Sequence, residues 1–186
     1  NYDGMVRSST FRGYPKPITV PVSPVLRLFP NEVENVRRFA ERYHLADKKH
    51  VLLFECAPKS GQSFVTSDFA LAVSQKLVDS LPDISIILSS NLPIVSNHAR
   101  IIDGSVLSFR ENAELTKYCT LLVGCSSGIT WLSTSDWAKP LPMIQLIKHD
   151  AVFFAPVAYD FEHWGLATDT ILEMSSCTVD DLFDCI

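Results

Sequence analysis

Between Thr120 and Ile147 the chain reads TLLVGCSSGITWLSTSDWAKPLPMIQLI, and the spacing Gly124-x-Ser126-x-Gly128 near its start holds the residues best suited to chemistry. An apolar run, Leu121 to Val123, ends in Gly124, and Ser126, Ser127 and Gly128 then lead into a predicted helix. The first N–H groups of a helix have no partner inside it, so such a turn attracts anions. Two hydroxyls beside a residue without a side chain let a pyrophosphate approach the backbone. Ser-Ser-Gly is equally an ordinary way to leave a strand and cap a helix. The same spacing matches a nucleophile elbow, with Ser126 as nucleophile and Asp150 or Asp160 followed by His163 in triad order. Against the elbow, only one strong strand follows the turn, and the N-terminal half lacks a glycine run for an oxyanion hole.

Two further loops follow predicted strands, where ligands of open parallel sheets collect. The first, Glu55 to Ser63, offers the cation Lys59, the hydroxyl of Ser60 and the flexible Gly61. The second, Asp103 to Phe109, leads into Arg110 in the first turn of a helix. A cation is slightly unfavourable there, which favours a ligand role for it. Lys59 also fits a plain solvated loop lysine. Trp131 and Trp137 read as packing residues, His149-Asp150 as a solvated polar pair, and Glu162-His163-Trp164-Gly165 as a pocket rim. No Asp-x-Asp triplet and no His/Cys cluster has metal-ligand spacing, so neither a metal nor a cofactor is expected.

The elements that must position these loops are legible as alternation. Strands are predicted at residues 51–56, 84–89, 99–102, 121–124 and 142–147, with helices at about 67–81, 109–118 and 129–137 between them. Strands alternating with helices make a parallel sheet, and continuous apolar strands mean one covered on both faces. The fold class is α/β, a doubly wound, Rossmann-like, mostly parallel sheet over residues 49–186. Residues 1–48 form a Pro-rich arm, with prolines at 15, 17, 21, 24 and 30 and apolar anchors Ile18, Val20, Val22, Val25 and Leu26, followed by an amphipathic helix over 31–44 capped by Asn31. Ser67-Asp68, Ser108-x-x-Glu111 and Thr178-Val179-Asp180-Asp181 are helix starts, and residues 151–165 read as irregular.

With 186 residues, 47% of them hydrophobic, the chain can build one substantial core. A net charge of −5 disfavours nucleic acid and anionic membrane partners. No apolar run nears the roughly 20 residues of a membrane span. The five cysteines form no CxxC pair, and Cys56, Cys119 and Cys125 lie in or beside apolar runs as buried free thiols, so a cytoplasmic location is expected. The opening at Asn1 reads as part of a longer chain with a preceding domain.

The order of HVLLFECAP, the Ser/Gly/Lys loop, Ile101-Ile102-Asp103-Gly104, Leu107 to Leu115 and LLVGCSSGITWLS resembles the C-terminal domain of GT-B-fold glycosyltransferases, most nearly the heptosyltransferase-like group, over about Pro21 to Ile147. Where that group has Asp-Thr-Gly-x-x-His, this chain has Ser126, Ser127, Gly128 and Trp131, so only the glycine is shared. The resemblance implies a half-enzyme that holds the nucleotide diphosphate of a sugar donor through Lys59, Ser60, Gly61, Arg110, Ser126, Ser127 and Gly128, without a metal. It implies a glycan or small-molecule acceptor whose base comes from the preceding domain. An NDP-sugar 2-epimerase-like enzyme, a serine hydrolase and a non-catalytic α/β interaction module are the other readings.

Overall fold

The computed structural model describes residues 3–5, 7–17, 24–56, 58–59 and 61–186. The anchors Ile18, Val20 and Val22, with Pro21, lie outside the described residues, as do Ala57 and Ser60. Six strands form one sheet: β1 His50–Glu55, β2 Ile84–Ser89, β3 Ile101–Asp103, β4 Leu121–Gly124, β5 Met143–Ile147 and β6 Ile171–Ser175. Their order is β3-β2-β1-β4-β5-β6, and every neighbouring pair is parallel. The α/β, doubly wound, Rossmann-like expectation is met.

Strand side chains alternate between two buried faces, and this explains why the strands read as unbroken apolar runs. In β1, Leu52 and Phe54 pack with Val73 and Leu77 of α2 (Ser67–Ser80) and Leu182 of α6 (Val179–Cys185). Val51 and Leu53 pack on the other side with Val36 and Phe39 of α1 (Pro30–Arg42), Leu115 of α3 (Glu111–Leu115) and Val157 of α5 (Val157–His163). Helix α1 is thus built into the same core as the sheet.

Several boundaries differ from the sequence reading, each for a local reason. Helix α1 starts on Pro30, with the Glu32 carboxylate accepting the Phe29 N–H at 2.7 Å, so Phe29 and not Asn31 is the cap. The helix expected over 109–118 ends at Leu115 and tightens into a 3-10 turn, Thr116–Tyr118, as the Thr116 hydroxyl donates back to the Ala113 carbonyl. Helix α4 is short, Gly128–Ser133, and the Thr134 and Ser135 hydroxyls donate to the Thr130 and Leu132 carbonyls at its end. Helix α5 occupies part of the segment expected to be irregular. Its first N–H groups, from Val157 and Ala158, donate to Glu173 of β6 at 2.5 and 3.1 Å, a cap supplied from far along the chain. Strand β6 is a half-exposed edge and lacks the apolar run that marks the others. The Ser108/Glu111 and Thr178/Asp181 boxes form as expected.

Candidate functional site

A sheet of order 3-2-1-4-5-6 reverses its direction of growth between its first and fourth strands, and the loops leaving their carboxyl ends part there. Beside that switch point lies a cavity of about 400 Å3, walled by the ends of β1, β2 and β3 and the start of α4. Pro58 and Lys59 come from the loop after β1, and Ser89 to Asn91 close β2. Ser105, Ser108, Phe109 and Asn112 come from the passage into α3, and Ser127 and Gly128 open α4. Polar groups on this wall are ordered by one another. The buried Ser89 hydroxyl donates to Asn112 Oδ1 at 2.8 Å, and the Asn112 amide donates to the Ser108 carbonyl at 3.1 Å.

Among the residues singled out in the sequence, Lys59, Ser127 and Gly128 share this wall. Ser127 keeps its capping role as well, its hydroxyl accepting the Ile129 N–H at 3.3 Å. A Cβ on Gly128 would stand 2.9 Å from Cζ of Phe109, so a glycine lets that half-exposed ring lie across the turn. Ser126 faces away from the cavity. It takes the left-handed conformation (φ 48°), and its hydroxyl donates to the Ala155 carbonyl at 2.5 Å while its N–H donates to Gln145 Oε1 at 3.0 Å. Gly61 (φ 75°) bends its loop toward β5, where the Gln62 carbonyl accepts the Lys148 N–H. Arg110 is committed elsewhere: its Nε lies 2.7 Å from Glu32 and its Nη2 donates to the Arg27 carbonyl at 2.5 Å. Ser60 lies outside the described residues. The side chains that an elbow would need have other partners: the Ser126 hydroxyl donates to Ala155, Asp160 pairs with Arg7 and His163 stacks on Tyr159.

One charged group beneath this turn was not singled out in the sequence. Glu55 ends β1 fully buried, and its Oε2 accepts the Thr130 hydroxyl at 2.6 Å and the Cys125 N–H at 3.1 Å. Its Oε1 has no hydrogen-bond partner among the described residues. Burial pushes its carboxyl up to about 7, against the opposing pull of the Thr130 and Cys125 hydrogen bonds and of Arg7. The signal was present: one acid closes the otherwise apolar run after His50. Gln145, inside Met-Ile-Gln-Leu-Ile, is the same kind of signal. The core thiols Cys56 and Cys119 are pushed up to about 12 by burial, so they stay protonated and act as packing groups. Among the described residues, no three His, Cys, Asp or Glu side chains are grouped to hold a metal, and no helix is long and apolar enough to cross a membrane.

Fold and crevice together define an α/β protein with a Rossmann-like parallel sheet and a cavity of mixed polar and apolar lining at the carboxyl ends of its strands. Compared with protein-family models, curated proteins and solved structures, the chain matches none.

Proposed function

We propose that this chain is the donor-binding half of a metal-independent glycosyltransferase, holding the nucleotide diphosphate of a sugar donor in the cavity beside the switch point. The observation that carries this reading is the meeting of Lys59, Ser127 and Gly128 on one wall of a cavity at the carboxyl ends of a 3-2-1-4-5-6 sheet. Lys59 is the cation for the phosphates, and the Ser127 hydroxyl and nearby backbone complete their surroundings. The hydroxyl and amide groups of Ser89, Ser90, Asn91, Ser105 and Asn112 suit the hydroxyls of a ribose or a sugar, and the exposed face of Phe109 suits a base. The acceptor, a glycan or small molecule, and the base that activates it belong to a partner domain in this reading. Buried neutral thiols fit a reducing compartment such as the cytoplasm.

Calorimetric titration of the chain with UDP, GDP, ADP and CMP tests the reading. Saturable binding of one diphosphate nucleotide, weakened by Lys59→Ala, is expected. No heat from any of the four, in a folded sample, refutes donor binding by this cavity.

A further inference from the structure

Arg7 belongs to a 3-10 turn, Arg7–Phe11, near the start of the described chain, yet its side chain is among the most buried charges in the protein. The guanidinium lies 4.8 Å from the Trp131 ring centre and 5.4 Å from that of Trp164, and its Nε is 3.0 Å from Asp160 Oδ2. Trp131 sits on α4, one turn beyond the cavity wall, whereas Asp160 and Trp164 belong to α5 and its end. One side chain therefore ties α4 to α5.

Helix α4 needs such a tie. Among the described residues, none of its side chains belongs to the apolar clusters that hold the other helices; its buried residues are Thr130 and Ser133, it packs on α3, and its Trp131 ring meets Trp164 edge-on at 6.3 Å. Thr130 anchors it from below through Glu55, and Arg7 holds it from the side. Although Arg7 approaches Asp160, none of its three nitrogens makes a hydrogen bond among the described residues, so docking gives up hydration that the pocket does not replace. Attraction to two rings and a carboxylate opposes that loss. Nearby, the segment is fastened by an exposed bond from the Tyr159 hydroxyl to Asp3 at 3.2 Å.

We infer that Arg7 is a positioning residue for the cavity, its guanidinium seated between Trp131 and Trp164 and holding the Ser127–Gly128 edge in the geometry that takes a nucleotide. The positioning half of this inference rests on the proposed donor-binding function; the docking half does not.

The test compares Arg7→Met, Arg7→Lys and the doubly neutral Arg7→Met/Asp160→Asn with the parent, all in a Trp137→Phe background so that emission reports Trp131 and Trp164. The double variant serves if a lone buried Asp160 prevents folding. Both Met variants should shift and broaden tryptophan emission, hasten hydrogen exchange at the Trp131 N–H, and weaken UDP or GDP binding at least tenfold. Arg7→Lys, which keeps a cation over the rings, should recover much of each effect. Unchanged emission and exchange in the Met variants overturns the docking. Altered emission with unchanged affinity overturns the positioning role. If the parent binds no nucleotide, the donor reading and the positioning role fall together, and emission and exchange still decide the docking.

Discussion

Replacing Glu55 by Gln should make the protein more stable at pH 8 and leave it nearly unchanged at pH 4. The carboxyl titrates near 4.5 when exposed and at about 7 in the folded protein, because burial disfavours the anion more than Thr130, Cys125 and Arg7 favour it. Below pH 4.5 both states are protonated and the group contributes nothing to the pH dependence. Between pH 4.5 and 7 the folded state binds more protons than the unfolded one, so stability falls as pH rises. Above 7 the full cost is present, on the order of 3 kcal/mol at about 1.4 kcal/mol per pH unit. Gln keeps a carbonyl oxygen for the Thr130 hydroxyl and Cys125 N–H and carries no charge. Its amide nitrogen takes the place of Oε1, which is already unpartnered among the described residues. Urea denaturation of both proteins from pH 4 to pH 8 measures the difference. For a chain of this size, thermal melting should separate by roughly 6–12 °C at pH 8. Asp160, whose carboxyl burial raises to about 6, titrates in both proteins and drops out of the comparison. Parallel stability curves across this range would show that the buried charge is compensated and would refute the argument.

Three other substitutions separate the roles of the site residues. Gly124→Ala places a Cβ 2.7 Å from Oε1 of the fully buried Gln145, which must then release the Ser126 N–H; a loss of about 2–4 kcal/mol in urea denaturation is expected, and a loss below about 1 kcal/mol sinks the idea. Gly128→Ala should keep the fold, since Phe109 is half-exposed and can swing, yet should raise the nucleotide dissociation constant about tenfold, or about 1.4 kcal/mol, by moving that ring along the cavity wall; unchanged binding removes Phe109 from the site. Arg110→Ala should leave nucleotide affinity unchanged because Glu32 already holds the guanidinium, and should cost little stability because the pair is partly exposed; a tenfold loss of affinity would restore Arg110 as a ligand.

The parts of the fold legible in the sequence are those whose causes are local. Five of six strands announce themselves as apolar runs because both faces of the sheet are covered. Strand β6 does not, because its side chains are only partly covered, Leu172 among the exposed ones. Helix α5 is hidden because the carboxylate that caps it, Glu173, lies on a later strand. The site divides in the same way. A strand, a polar turn and a helix suffice to mark Ser127, Gly128 and Lys59. Arg110 looked free because a cation in a helix's first turn is unfavourable, and its remedy, Glu32, sits on α1. Arg7 carried no local signal at all, since only the folded chain brings Trp131 and Trp164 to it.

Two consecutive serines divide the carboxyl end of the sheet. The left-handed backbone at Ser126 lets its hydroxyl reach Ala155, on the side where Arg7 is buried, while Ser127 borders the cavity. Both residues also lean on the buried polar pair beneath, Ser126 through Gln145 and Ser127 through its N–H to Thr130, which donates to Glu55. A shift of α4 is therefore felt on both sides of the turn. Coupling of this kind is reciprocal: whatever factor docked Arg7 adds to nucleotide affinity, bound nucleotide adds to the docking equilibrium. A tenfold loss of affinity in Arg7→Met therefore requires that saturating nucleotide in the parent favour the docked form tenfold, equivalent to about 1.4 kcal/mol. Protection of the Trp131 N–H should rise by up to that factor when exchange there is limited by undocking.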